Sequence, residues 1–245
     1  MDSPFLIEGP AVISFSGGRT SAYMLRRVLD EGLQPQVHIL FADTGKERDE
    51  TYVFVRECAA RWAVPVITVF RPGYFTRLIT DRKYLPNPVT RFCTQELKIR
   101  PMRDWMLAQG YEHWTNVVGI RADEPRRVAK MRESAERRVE ERWDIALPLA
   151  EAGITLAEID AFWGDQSFNL QLQPHEGNCD LCFLKGTGKR RQIIRDRPDL
   201  AVWWIEQERR TGRLFRHDAP SYAYLAAQPD LFAESDDLIE CYCHD

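Results

Sequence analysis

The segment Ile13-Ser14-Phe15-Ser16-Gly17-Gly18-Arg19-Thr20-Ser21 constrains this chain more than any other. The apolar run Ala11 to Phe15 reads as a β-strand, and Thr20 to Glu31 has helical apolar spacing that ends at Gly32. The loop therefore joins a strand to a helix start. Without a Cβ, Gly17 and Gly18 let backbone N–H groups approach an anion. Ser16, Thr20 and Ser21 add hydroxyl donors at the positive end of the helix dipole. The combination predicts a phosphate site, with an ordinary strand-to-helix turn as the plain structural alternative.

Three more β-rich runs, Val37 to Phe41, Val66 to Phe70 and Asn116 to Ile120, alternate with segments of helical spacing, which predicts a parallel α/β sheet. A helix over Arg48 to Trp62 stops before Pro65, and Pro101 suits the first turn of another that runs to Gln109. Between Arg121 and Arg142 the chain is dense in Arg and Glu, which describes a solvated helix or excursion, or else a lid over a nucleotide. Thr155 and Glu158 form a capping-box pattern, and Pro198 opens a helix with Trp203 and Trp204, both expected in the core. The reading divides the chain into a nucleotide-binding domain at 1–150 and a mostly helical, cysteine-bearing extension at 151–245 packed on it.

A chain of 245 residues can bury a full core without disulfides. Its net charge of -4 excludes a surface that coats polyanions generally, so a nucleic-acid role is confined to a local basic patch. Lys185 to Arg191 is one such basic, Gly-containing run, suited to a phosphate backbone or equally to a surface helix start. No run approaches the roughly 18 apolar residues that span a bilayer, and the N-terminus lacks a signal pattern, so a cytoplasmic protein with no membrane partner is expected. In a reducing compartment six cysteines read as ligands, nucleophiles or core residues. Cys58, on an apolar helix face, reads as core. His113, His175 and His217 have no evident partner in the sequence.

Several further motifs lie along the chain in a set order. Phe41-Ala42-Asp43-Thr44-Gly45 is followed by Lys98-Ile99-Arg100-Pro101-Met102, then Gly119-Ile120-Arg121-Ala122-Asp123-Glu124, then Glu240-Cys241-Tyr242-Cys243-His244. With the Ser16 loop, they resemble the phosphoadenosine phosphosulfate reductase family of the adenine-nucleotide PP-loop superfamily, in its K-x-x-P-M, G-x-R-x-x-E and terminal E-C-x-x-H segments. The resemblance implies a PP-loop domain that binds an adenine nucleotide through Ser14, Ser16, Gly17, Gly18, Arg19, Thr20, Ser21, Asp43, Thr44, Gly45, Lys98, Gly119 and Arg121. Arg121 is the first choice as an anion clamp, because an arginine fork binds such oxygens bidentately. Asp43 stands at a strand C-terminus, where it would meet a sugar or a magnesium ion; a plain strand-end carboxylate is the alternative. Gly17-Gly18 departs from the single glycine usual in sulfonucleotide reductases and looks more like the SGGxDS loop of enzymes that split ATP, although Thr20 replaces that motif's Asp. Both ATP and phosphoadenosine or adenosine phosphosulfate stay open.

Cys179-Asp180-Leu181-Cys182 is a C-x2-C whose spacing lets two thiolates reach one metal or cluster. Cys93, five residues before Lys98, matches the first of two adjacent cluster cysteines in adenosine phosphosulfate reductases, and Thr94 replaces the second. The resemblance thus implies a [4Fe-4S] cluster on Cys93, Cys179 and Cys182, completed by Cys241 or Cys243. The alternative is zinc on Cys179, Cys182, Cys241 and Cys243. Cys241 has a competing role, since the cysteine of E-C-x-x-H attacks sulfur in the reductases.

Three functions follow. The first is a sulfonucleotide reductase-like enzyme with Cys241 as nucleophile and a thioredoxin-type reductant as partner. The second is an ATP-dependent sulfur transferase that thiolates RNA or DNA with sulfur from a donor. The third is a zinc-stabilised nucleic-acid- or partner-binding module without catalysis. A homo-oligomer is expected.

Overall fold

The computed structural model describes residues 3–137 and 142–227. Its centre is a five-stranded sheet in the order β3-β2-β1-β4-β5, built from β1 Ala11–Ser14, β2 Val37–Asp43, β3 Val66–Phe70, β4 Trp114–Val117 and β5 Trp143–Ala146. Every pairing is parallel, with Ile13 of β1 opposite Ile39 on one side and Val117 on the other. Helices cover such a sheet on its faces, so its central strand is an unbroken apolar run rather than an alternating one. Ala11, Val12 and Ile13 are all fully buried.

Helix α1 (Arg19–Glu31) buries Ala22, Met24, Leu25 and Val28 against the sheet and ends at Gly32, whose φ of 95° suits a residue without a side chain. Helices α2 (Asp49–Arg61) and α3 (Tyr74–Arg82) follow β2 and β3. The short α4 (Phe92–Thr94) runs through a π-helical turn, Gln95–Ile99, into α5 (Arg100–Ala108), which has Pro101 in its first turn. A π turn adds one residue per turn and rotates the side chains that follow it; such turns are frequent at functional sites.

After α6 (Pro125–Arg137) and β5 come α7 (Pro148–Glu151), α8 (Leu156–Gly164), α9 (Thr187–Asp196), α10 (Ala201–Thr211) and α11 (Tyr222–Ala227). The Thr155–Glu158 capping box is present at the start of α8. Residues on both sides of 150 share two apolar clusters. One joins α1 and the first strands to Leu149, Ile159, Trp163 and Leu170. The other joins Phe75, Leu78 and Leu97 to Leu181, Phe183, Trp204 and Phe215.

The structure corrects the sequence in three places. The fourth strand ends at Val117, because Ile120 N–H turns back to the Val118 carbonyl and Gly119 packs against the Ser21 backbone. The charged stretch after Arg121 holds helix α6, as the helical reading expects, but it then gives way to an unforeseen β5, a strand too short and mixed (Trp-Asp-Ile-Ala) to show a period. Lys185 and Arg190 are buried rather than part of a solvated face, while Trp204 is buried as expected and Trp203 partly so.

Candidate functional site

The strand order reverses between β1 and β4, since β2 and β3 lie on one side of β1 and β5 lies beyond β4. Open parallel sheets bind ligands in the crevice at the carboxyl ends of strands flanking that point. A cavity of about 220 Å³ opens there. Its floor is Ser14 and Asn116, and its walls are Lys98, Met102, Trp143 and Gly119. Trp143 stacks on Trp114 at 5.5 Å, and the Trp114 indole donates to Asn116 Oδ1 at 3.1 Å, which fixes the side chain at the cavity floor.

The Ser16 loop borders this cavity. Ser16 N–H donates to Ser21 Oγ at 3.2 Å, the two hydroxyls lie 2.9 Å apart, and Ser21 Oγ donates to the Gly18 carbonyl. Gly18 caps α1 with no side-chain bond, and the first turn holds no acid. The first N–H groups of a helix have no intrahelical partner, so this end presents donors and positive dipole toward an anion. Gly17 sits at φ 79°, and a Cβ there would meet Thr51 Cγ2 at 2.6 Å and Val55 Cγ2 at 3.0 Å. Its freedom therefore serves the packing of the loop on α2 as well as any ligand.

The motif after β2 is internally bonded. Asp43 Oδ1 accepts from Gly45 N–H at 2.7 Å and from Tyr52 OH at 2.6 Å, and burial together with that bond pushes the Tyr52 phenol far above its ordinary range. Thr44 Oγ1 donates to the buried Glu47 at 2.9 Å, and Lys98 Nζ stands 3.6 Å from the same carboxylate. Arg121 is held by Asp123 (2.9 Å) and reaches Thr20 Oγ1 at 3.5 Å, at the mouth of the loop. Arg19 points elsewhere, donating to Asn169 Oδ1 and the Leu170 carbonyl; it ties α1 to the later chain rather than facing the loop's anion end.

The cysteine loop packs directly against these elements. Asn178 Nδ2 donates to the Ser16 carbonyl at 2.9 Å, and the Asn178 carbonyl accepts Arg48 N–H at 2.7 Å. Asp180 N–H donates to the Lys46 carbonyl, Cys179 forms an antiparallel bridge with Glu47, and Lys46 Nζ pairs with Asp180 Oδ2 at 2.6 Å. Burial pushes the Asp180 carboxyl up, opposed by Lys46 and by bonds from Leu181 N–H and the Trp204 indole. Asn178 and Asp180 have no sequence signal of their own: one precedes the C-x2-C and the other is one of its variable positions.

Cys179 hydrogen-bonds Cys182, which pulls its thiol down, but burial and the Glu47 and Asp180 carboxylates win, and its pKa lies above the ordinary value. Cys93 packs on the apolar cluster that includes Cys182. Among the described residues no group of three or more His, Cys, Asp or Glu is placed to hold a metal ion. The two thiols of the C-x2-C thus meet, but a three-ligand set with Cys93 is not assembled among these residues. Cys241 and Cys243 lie outside the described residues. Cys58 is core, its thiol pushed up to about 12 by burial. His113 and His175, for which the sequence offers no partner, stand 2.9 Å from Asp144 and 3.5 Å from Asp196. Among the described residues no helix is long and apolar enough to cross a membrane.

Sheet order, switch-point cavity and strand-loop-helix together define an α/β protein of the PP-loop class. The model of the phosphoadenosine phosphosulfate reductase domain matches residues 10–159, and the chain belongs to that family. It is 33% identical over 208 residues to the "Uncharacterized nin region protein ORF290" of Escherichia phage lambda, covering 73% of this chain and 67% of the phage protein. It is 25% identical over 116 residues to the "Uncharacterized protein MJ0066" of Methanocaldococcus jannaschii, covering 47% of this chain and only 23% of that protein. Among solved structures, phosphoadenylyl-sulfate reductase from Candida auris in a phosphate complex aligns with a TM-score of 0.47 at 16% identity, covering 67% of this chain and 79% of that one.

Proposed function

We propose that this protein is an enzyme that binds an adenine nucleotide in the β1–β4 crevice and uses it in sulfur chemistry. The observation that carries the reading is the uncapped start of α1 at the mouth of the switch-point cavity, with Arg121 beside Thr20. The nucleoside would occupy the cavity over Ser14 and Asn116, with its phosphates or phosphosulfate against residues 16–21. Lys98 and Arg121 supply positive charge at the two sides of the loop. Asp43, bonded by Gly45, Tyr52 and Tyr74 at the C-terminal end of β2, is the carboxylate that would meet a ribose hydroxyl or magnesium.

Two nucleotides compete. Family membership favours a phosphosulfate substrate reduced with thioredoxin-type thiols. The Gly17-Gly18 pair and the phosphate loop's direct contact with the C-x2-C favour ATP, activating an acceptor for sulfur. Full-length protein supplied in turn with phosphoadenosine phosphosulfate, adenosine phosphosulfate and ATP, each with a dithiol reductant, should release sulfite from a phosphosulfate or pyrophosphate from ATP. Absence of turnover with all three, with and without RNA or DNA present, would defeat the enzymatic reading.

For the full chain we further propose a [4Fe-4S] cluster on Cys93, Cys179, Cys182 and one of Cys241 or Cys243; the support is the match of these cysteines to those of adenosine phosphosulfate reductases, since Cys93 does not stand with the C-x2-C pair as a ligand set among the described residues. Such a cluster would supply electron transfer or a sulfur-binding iron. Anaerobically purified protein is expected to contain about four irons per chain, lost in Cys179→Ser and Cys182→Ser. Stoichiometric zinc without iron or sulfide would contradict the proposal and establish the zinc alternative.

A further inference from the structure

The π turn and α5 have a second working side. Lys98 and Met102 face the nucleotide cavity, whereas Glu96, Arg100 and Trp105 line a separate groove of about 850 Å³ at the C-terminal end of β3, the edge strand. At its base lies Glu96, whose side chain is 5% exposed. Its two oxygens take Arg71 Nη1 at 2.8 Å, Arg82 Nη2 at 2.6 Å and Arg100 Nη1 at 2.8 Å. One carboxylate neutralises one of those three guanidinium groups. Asp81 answers Arg77 at 2.7 Å and Asp104 answers Arg103 at 2.6 Å. Arg71, Arg77 and Arg100 line the groove with Glu96, Asp81 and Asp104, and Arg82 adds a fourth guanidinium group at Glu96, while Arg103 lines the nucleotide cavity; one net positive charge is left here, on a chain whose overall charge is -4. Each guanidinium carries five donors, so those that bind a carboxylate still have N–H groups to offer an anion.

The same groove contains an exposed aromatic residue. Phe70 ends β3 with half of its surface in solvent, although its ring stacks on Tyr74 at 5.2 Å and 26°. An apolar ring of that size left open beside arginines is the pairing that binds single strands: the π-face takes a base and the guanidinium groups take its phosphates. A duplex keeps its bases stacked on one another, free phosphate has no ring to stack, and an acidic peptide lacks a planar base for Phe70.

We infer that this groove binds a single-stranded nucleic acid, with a base on Phe70 and backbone phosphates on Arg77 and Arg100. As the acceptor for sulfur, a strand held there depends on the function proposed above; as a ligand, it does not. Only the helix separates it from the nucleotide cavity.

The experiment uses the full chain and fluorescence anisotropy with labelled single strands of about twelve nucleotides, DNA in one arm and RNA in the other, each beside its duplex. Binding to at least one single strand is expected, weaker for the duplex and weaker at higher salt. Phe70→Ala and Arg77→Glu, both at exposed positions, should each weaken binding about tenfold or more. Arg77→Glu should also flatten the salt dependence, while Phe70→Ala should leave it unchanged. The arm that binds more tightly identifies the strand as DNA or RNA. No binding in either arm, equal affinity for the duplex, unchanged affinity in both variants, or equal competition by polyglutamate would overturn the inference. Adenine-nucleotide affinity measured on the same preparations separates the two claims. Strand binding lost with nucleotide binding intact overturns the groove alone, and the reverse overturns the nucleotide reading alone.

Discussion

Gly17→Ala is expected to cost about 3 kcal/mol of stability and to abolish adenine-nucleotide binding. Two effects add. At φ 79° an L side chain meets its own backbone, a cost of about 1–2 kcal/mol, and the new methyl would stand 2.6 Å from Thr51 Cγ2 in a packed interior. Overpacking of that kind costs about 1–3 kcal/mol. Relief is available only by moving the loop off α2, which would carry Ser16 and the start of α1 away from the anion position. Because the shortest contact is with the Thr51 methyl, Thr51→Ser in the Gly17→Ala background should restore about 1 kcal/mol, and chemical denaturation of the four proteins in the cycle measures it. A Gly17→Ala protein that unfolds at the wild-type denaturant concentration would show that the contact is not as drawn.

That result would also change what the glycine pair says about substrate. Read from the sequence, Gly17 and Gly18 admit a phosphate and suggest an ATP-type loop. In the fold, Gly17 is already required by Thr51 and Val55. A residue can match a nucleotide motif for reasons of packing alone, and only the three-dimensional neighbours separate the two causes.

The strands β1, β2 and β3 were legible because a buried parallel strand is an apolar run bounded by helix-period segments, and the start of α1 because glycines and hydroxyls punctuate it. β5 was not, since four residues with one acid and two aromatic or aliphatic anchors give no period, and the charged α6 masked the approach to it. The loop at residues 16–21, and Lys98 and Arg121 near it, could be singled out from local motifs. Its support could not. Asn178 reaches Ser16 across 162 positions, and Asp180 binds Lys46 and Trp204 from distant parts of the chain. Such contacts depend on topology that no spacing rule encodes. Arg19 is similar: its guanidinium is bonded to Asn169 and Leu170, partners some 150 positions away that adjacency to the loop does not foretell.

The nucleotide claim has the largest expected effect on binding, and it turns on Arg121. Its guanidinium lies at the Thr20 hydroxyl, held there by Asp123 at 2.9 Å and Glu124 at 3.6 Å, so a bound anion would share it with those carboxylates. A hydrogen bond to a charged group contributes about 1.5–3 kcal/mol, which corresponds to a tenfold to hundredfold change in affinity. Arg121→Ala should therefore weaken an adenine nucleotide by about that factor and leave adenosine, which has no phosphate, nearly unaffected. The decisive measurement is isothermal titration calorimetry of the wild-type and Arg121→Ala chains with ATP, phosphoadenosine phosphosulfate, adenosine phosphosulfate, adenosine and GTP. The account predicts saturable binding of at least one adenine nucleotide in preference to GTP, and its selective loss in the variant. Absence of binding by every adenine nucleotide, or equal affinity in the two proteins, would contradict it.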